Sequence, residues 1–295
     1  MPPNPRLIAN YQCNTGEGPL WHPDEQALYW MDIPPGRLFR YDPATDEHET
    51  VREGRTLGAA TLQADGSLLL MGGPGCTAST WRDGVETPSF DGIPGETRFN
   101  DAIADPEGRI FSGSMAGEGW QDDPAKLGKL YRLDPDGSAH VVDEGFGCVN
   151  GMGFTADLNT FFFIDTFSMN VYAYGYDRAT GAIVDRRVHI DTRGVPGKPD
   201  GMAIDADGCF WVARWGGSCV VRFDPDGQEM SRLPLPTPNV TSVAFAGPDL
   251  STMYITTAGC NDPETFGREA GALFAVEIDG VRGVPEYRSR FRLDR

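Results

Sequence analysis

The sequence predicts an all-β fold, a six-bladed β-propeller formed by residues 1–295 as one domain. Three observations predict it. A degenerate repeat occurs six times along the chain, with turn centres near residues 24, 65, 107, 157, 207 and 249. Each copy alternates runs of high β-propensity with Asp-Gly-type turns, the pattern of short antiparallel strands. No amphipathic helical stretch, linker or composition shift divides the chain. Spacings of 41, 42, 50, 50 and 42 residues match a propeller blade, whose unit runs roughly 40–50 residues with up to four strands.

The clearest copy is GMAIDADGCFWVARWGGSCVVRFDPDG at 201–227. There Asp207-Gly208 joins two runs rich in Val, Ile, Phe and Trp. The other copies begin at Pro19, Ala59, Ala102, Gly151 and Ser242. The terminal segments RLIANYQ and EYRSRFRLDR read as extended leftovers that pair into the last blade and remove its free edge.

Bulk properties agree and exclude several functions. The 37 Gly and 23 Pro are spread along the chain and fit frequent tight turns, and the 40% hydrophobic content can fill a large core. The net charge of −18 provides no basic face for a nucleic-acid duplex and disfavours an anionic membrane surface. No apolar run reaches the ~20 residues of a membrane span. The N-terminal MPPNPRLIANYQC lacks the apolar core of a signal peptide. The six scattered cysteines contain no C-x-x-C pair and read as buried thiols, which points to a cytoplasmic location.

In a propeller the first strand of each blade lines the axis. Counting back from each turn gives one equivalent position per blade: Glu17, Gly58, Asn100, Asn150, Asp200 and Thr241. Polar side chains in a packed channel need hydrogen bonds or an ion. Glu17 and Asp200 would repel each other unless a cation lies between them. Carboxylate and amide oxygens form a hard donor set, suited to one divalent ion: Ca, Mg, Mn, Zn or Fe. A water-filled channel without metal is the other reading of this register.

The segments GEGPLW (16–21), RFNDA (98–102), SGSMAGE (112–118), NGMGF (150–154), PDGMAID (199–205) and FWVARWGG (210–217) together resemble the SMP30/gluconolactonase/regucalcin family, over nearly the whole chain and in the family's order. The resemblance implies a sugar-acid lactonase of gluconolactonase, xylonolactonase or arabinonolactonase type, acting after a dehydrogenase has made the lactone. It implies Glu17, Asn150 and Asp200 as metal ligands, and Arg98, Asn100 and Glu118 as contacts to a small sugar lactone. A bound divalent ion would polarise the lactone carbonyl, and Asp200 is the candidate general base. Asp101 should point away from Asn100 by strand alternation. Two further readings stand beside this one: a metal-dependent esterase or phosphotriesterase on the same scaffold, and a non-catalytic metal-binding protein.

Other signals carry less. The DPDG and DADG segments (134–137, 205–208, 224–227) read as turns, since an EF-hand needs more acidic positions. GGPGC (72–76) opens no helix, and no G-x-S-x-G elbow is present. None of the four histidines falls on the channel register; His22 is nearest. Cys148 can line the pocket but has no activating base nearby. Residues 116–126 are the longest irregular stretch within a blade and the best lid candidate, with Trp120 a possible roof.

Overall fold

Six four-stranded antiparallel sheets follow one another around an axis in a computed structural model that describes residues 4–119, 121–123 and 126–293. The innermost strands of blades 1 to 6 are Gly16–His22, Leu57–Leu62, Phe99–Ala104, Val149–Phe154, Lys198–Ile204 and Val240–Ala246. Burial falls from the axis outward. In blade 1 the second strand, Ala27–Asp32, is wholly buried, whereas the outermost, Glu47–Arg52, is mostly exposed. The sequence follows this gradient: ALYWMD inside, EHETVR outside. Apolar faces of neighbouring blades share cores. Phe162, Ile164 and Val171 of blade 4, for example, pack with Phe210, Val212 and Val221 of blade 5.

The Asp-Gly turns are built as their chemistry requires. Asp205 accepts from the backbone N–H groups of Asp207 at 3.0 Å and Cys209 at 2.9 Å. Its other oxygen accepts from Trp211 Nε1 at 2.9 Å and Arg222 Nη2 at 2.7 Å. Asp105 does the same in blade 3 and also takes the hydroxyl of Tyr176 from blade 4, at 2.8 Å. These carboxylates are consumed by their own turns and by cross-blade ties.

Ring closure uses the N-terminus. Strand Arg6–Asn10 pairs with Ala272–Glu277 as the outer strand of blade 6. Thr241 Oγ1 donates to Gly16 O at 2.6 Å, tying blade 6 to blade 1. The C-terminal segment departs from expectation, because it adds no strand to the last blade. It crosses the face at the turn end of the inner strands instead. Ala206 N donates to Arg282 O, Ser289 N to Leu62 O, and Arg290 N to Gly108 O. The reason is occupancy: Arg6–Asn10 already covers the free edge, so the tail satisfies its backbone on the turns of several blades.

Every innermost strand carries an irregularity at one level. The ladder shifts between Glu17 and Leu20, Leu57 and Ala59, Phe99 and Asp101, Asn150 and Met152, Pro199 and Met202, and Val240 and Ser242. Such bulges re-aim side chains. They coincide with the register position read from the sequence in all six blades.

Candidate functional site

Above the bulges, on the face away from the C-terminal crossing, lies a cavity of about 260 Å³ lined by Glu17, Arg98, Asn100, Asn150 and Asp200. Four different blades supply these five side chains, so long-range closure of the ring brings them together. Glu17, Asn100, Asn150 and Asp200 are all buried. The sixth residue expected here, Glu118, is exposed on the segment that follows the second strand of blade 3 and does not line the cavity. Trp120, together with Pro124 and Ala125 of the same 116–126 segment, lies outside the described residues.

Hydrogen bonds fix how the amides face. Asn150 Nδ2 donates to Thr166 Oγ1 at 2.8 Å, which turns its Oδ1 the other way. Asn100 Nδ2 donates to that Oδ1 and to Val149 O, both at 2.9 Å. One lone pair of Asn150 Oδ1 remains for a cation, and Asn100 Oδ1 is left for a ligand. Gly151 allows the close approach behind Asn150: a Cβ there would stand 2.5 Å from Met202 N of the neighbouring blade.

The acidic pair is electrostatically strained. Burial holds the Glu17 carboxyl well above the ordinary carboxylate range, and the charges of Asp200 and Asp101 push it further; the N–H of Gly18 at 2.8 Å and the charge of Arg98 oppose this. Asp200 is likewise raised, by burial first and then by Asp101. Two buried carboxyls in one cavity, each disfavoured as an anion, fit a site completed by a cation. Among the described residues no group of three His, Cys, Asp or Glu side chains forms a metal-holding cluster. The donor set here is two carboxylates and an amide oxygen, a set hard cations accept.

Arg98 forms no ion pair among the described residues. Its Nη1 donates to Phe99 O at 3.1 Å, and Nη2 lies 3.3 Å from Met115 Sδ. Burial lowers its pKa, since the charged form is poorly solvated. Gly58, at the register position of blade 2, makes room for it: a Cβ there would lie 3.1 Å from Arg98 Nη1 and 1.8 Å from Phe99 O.

Several cavity residues were not identified from the sequence. Ile33, Met115, Phe167 and Trp215 give the wall an apolar part, and Lys198 adds a cation whose Nζ sits 5.3 Å from the Phe167 ring centroid. Lys198 was legible, since it precedes Asp200 by two residues and shares its strand face. Thr166 becomes visible only through the pairing of Val149 with Asp165. Cys148 lines the cavity, and burial raises its thiol pKa, so it stays protonated. His22 is buried elsewhere, with Nε2 3.0 Å from Gly66 O between blades 1 and 2. Asp101 lies below the bulge level, in the lower channel with Glu286.

Fold and site together define a six-bladed propeller with an axial acidic centre. The chain belongs to the SMP-30/gluconolactonase/LRE-like family, whose description matches residues 15–259. It is 45% identical to the pentonolactonase XacC of Haloferax volcanii, over 97% of this chain and 98% of that one. It is 35% identical to regucalcin of Bos taurus, over 95% and 96% of the two chains. The crystal structure of a calcium-binding regucalcin from Agrobacterium tumefaciens superimposes with a TM-score of 0.87 at 27% identity, covering 99% of each chain.

Proposed function

We propose that the protein hydrolyses the ester bond of a sugar-acid lactone, releasing the aldonic acid, with one divalent cation held by Glu17, Asn150 and Asp200. The observation that carries this reading is the meeting of those three oxygen donors with Arg98 and Asn100 in one axial cavity. The 45% identity to a pentonolactonase makes five-carbon lactones the first substrates to examine. The calcium-binding structural relative supports a divalent ion. Buried free thiols support a cytoplasmic setting, and no described helix is long and apolar enough to cross a membrane.

The cation, when bound, supplies Lewis-acid polarisation of the lactone carbonyl. The residues of the chain do the rest. Asp200 accepts a proton from the water that attacks the carbonyl carbon. The acyl C–O bond of the ring then breaks, and the ring oxygen leaves as a hydroxyl, taking its proton from Asp200. Arg98 and Asn100 Oδ1 hold the carbonyl and ring hydroxyls.

The apolar part of the wall, with Phe167 and Trp215, favours a second reading in which aryl esters or phosphotriesters are turned over. Proton release measured on aldonolactones and aryl esters side by side separates the two. A kcat/KM at least ~100-fold higher on a lactone supports the first reading; the reverse ratio supports the second.

A further inference from the structure

The segment FWVARWGG (210–217) contributes a buried cation to which the proposed chemistry assigns no role. Arg214 is fully buried, and no carboxylate among the described residues lies in ion-pair range of it. Its partners are three consecutive backbone carbonyls. Nε donates to Pro196 O at 2.9 Å, and Nη2 donates to Val195 O at 3.1 Å and to Gly197 O at 2.6 Å. Nη1 is buried without a partner. Burial holds the guanidinium pKa down at about 10.

A buried charge without a counter-ion is costly. What a guanidinium offers is geometry: rigid donors fanned over three carbonyls. The place of those carbonyls matters. Residues 195–197 lead directly into the inner strand Lys198–Ile204. Arg214 stands opposite Pro199 in the ladder. On either side of Pro199 stand Lys198 and Asp200, which share a face and line the cavity. Past Pro199 the ladder is interrupted until Met202, so ordinary strand pairing does not hold Asp200.

We propose that Arg214 is a positioning residue for Asp200, locking the 195–197 approach so that the Asp200 carboxylate and the Lys198 ammonium face the cavity. It acts through the backbone, because the charges that shift the Asp200 carboxyl are those of Asp101 and Arg98. The consequence for turnover rests on the proposed lactonase reading; the positional claim does not.

The test compares Arg214→Met, Arg214→Lys and Asp200→Asn in the full-length protein. It measures kcat and KM on a pentonolactone, Mn²⁺ affinity by calorimetry, the pH–rate profile and thermal unfolding. Arg214→Met is expected to lose at least ~10-fold in kcat and in Mn²⁺ affinity, with KM and the pH inflections unchanged, at temperatures well below its unfolding. Arg214→Lys, whose ammonium can still reach part of the carbonyl set but cannot span all three, is expected to lose less than Arg214→Met. A lower melting temperature with wild-type kcat and Mn²⁺ affinity would overturn the proposal and leave Arg214 a stabilising residue only. If Arg214→Met does not fold, Arg214→Lys carries the same two outcomes. If Asp200→Asn keeps full turnover, the lactonase assignment of Asp200 fails separately. A crystal structure of Arg214→Lys then decides the positional claim: an Asp200 carboxylate in its wild-type place refutes it.

Discussion

Replacing Gly58 by Ala puts the link between blade packing and substrate binding under direct strain. The new Cβ would stand 1.8 Å from the carbonyl oxygen of Phe99, where contacts under 3.0 Å are essentially never tolerated. The obstacle is backbone, so the inner strands of blades 2 and 3 must separate by about 1.2 Å, and overpacking of this kind costs about 1–3 kcal/mol. For a chain of this size that lowers the melting temperature by about 2–5 °C. The strand displaced carries Asn100 and is immediately preceded by Arg98. A misplacement near 1 Å costs up to about 100-fold in rate. The expected result is a kcat/KM on lactone reduced about 10–100-fold. Divalent-ion affinity should change far less, because Glu17, Asn150 and Asp200 stand on other strands. Steady-state kinetics and calorimetric ion titration read both quantities. Wild-type kcat/KM in Gly58→Ala would refute the claim that this vacancy sets the position of Arg98.

Three further outcomes follow from other parts of the molecule. Burial and the charge of Glu286 raise the Asp101 carboxyl to about 7. The folded chain therefore binds this proton where the unfolded chain has lost it, and stability drains away as pH rises from about 4 through 7. Asp101→Asn should raise the melting temperature at pH 8 and leave it unchanged at pH 4; equal shifts at both would contradict the assignment. Asp205→Ala strands Trp211 Nε1 and the Arg222 guanidinium. It should destabilise the protein by about 3–5 kcal/mol in denaturant titration, with ion affinity preserved while folded. Cys148→Ser should keep turnover within about threefold, since a thiol held protonated is no nucleophile; a loss of 100-fold or more would call for a different mechanism.

Much of the fold was legible because a propeller writes its period into the chain. The Asp-Gly turns demanded hairpins, and the turn spacing counted the blades. The register position fell on the bulge level in every blade, because the axial residue stands seven residues ahead of its turn centre in five blades and eight in the sixth. That register singled out Glu17, Asn100, Asn150 and Asp200 as polar axial residues before any geometry was known, and the family resemblance, not the spacing, chose Glu17, Asn150 and Asp200 among them as ligands. Sequence could not show that Gly58 matters by what it lacks, or that Thr166 orients Asn150, since both depend on contacts between strands. The C-terminal segment was misplaced because an extended pattern does not say which edge is already taken. The placement of Glu118 follows from its loop, whose course no periodicity constrains.

The proposed lactone hydrolysis depends on a cation held by Glu17, Asn150 and Asp200. Proton release from a panel of pentono- and hexonolactones, after exhaustive chelation and then with single divalent ions restored, tests it most directly. Activity abolished by the chelator, recovered with one or two ions, and absent from Asp200→Asn at every ion concentration is expected. Undiminished lactone turnover in the chelated protein or in Asp200→Asn would contradict it.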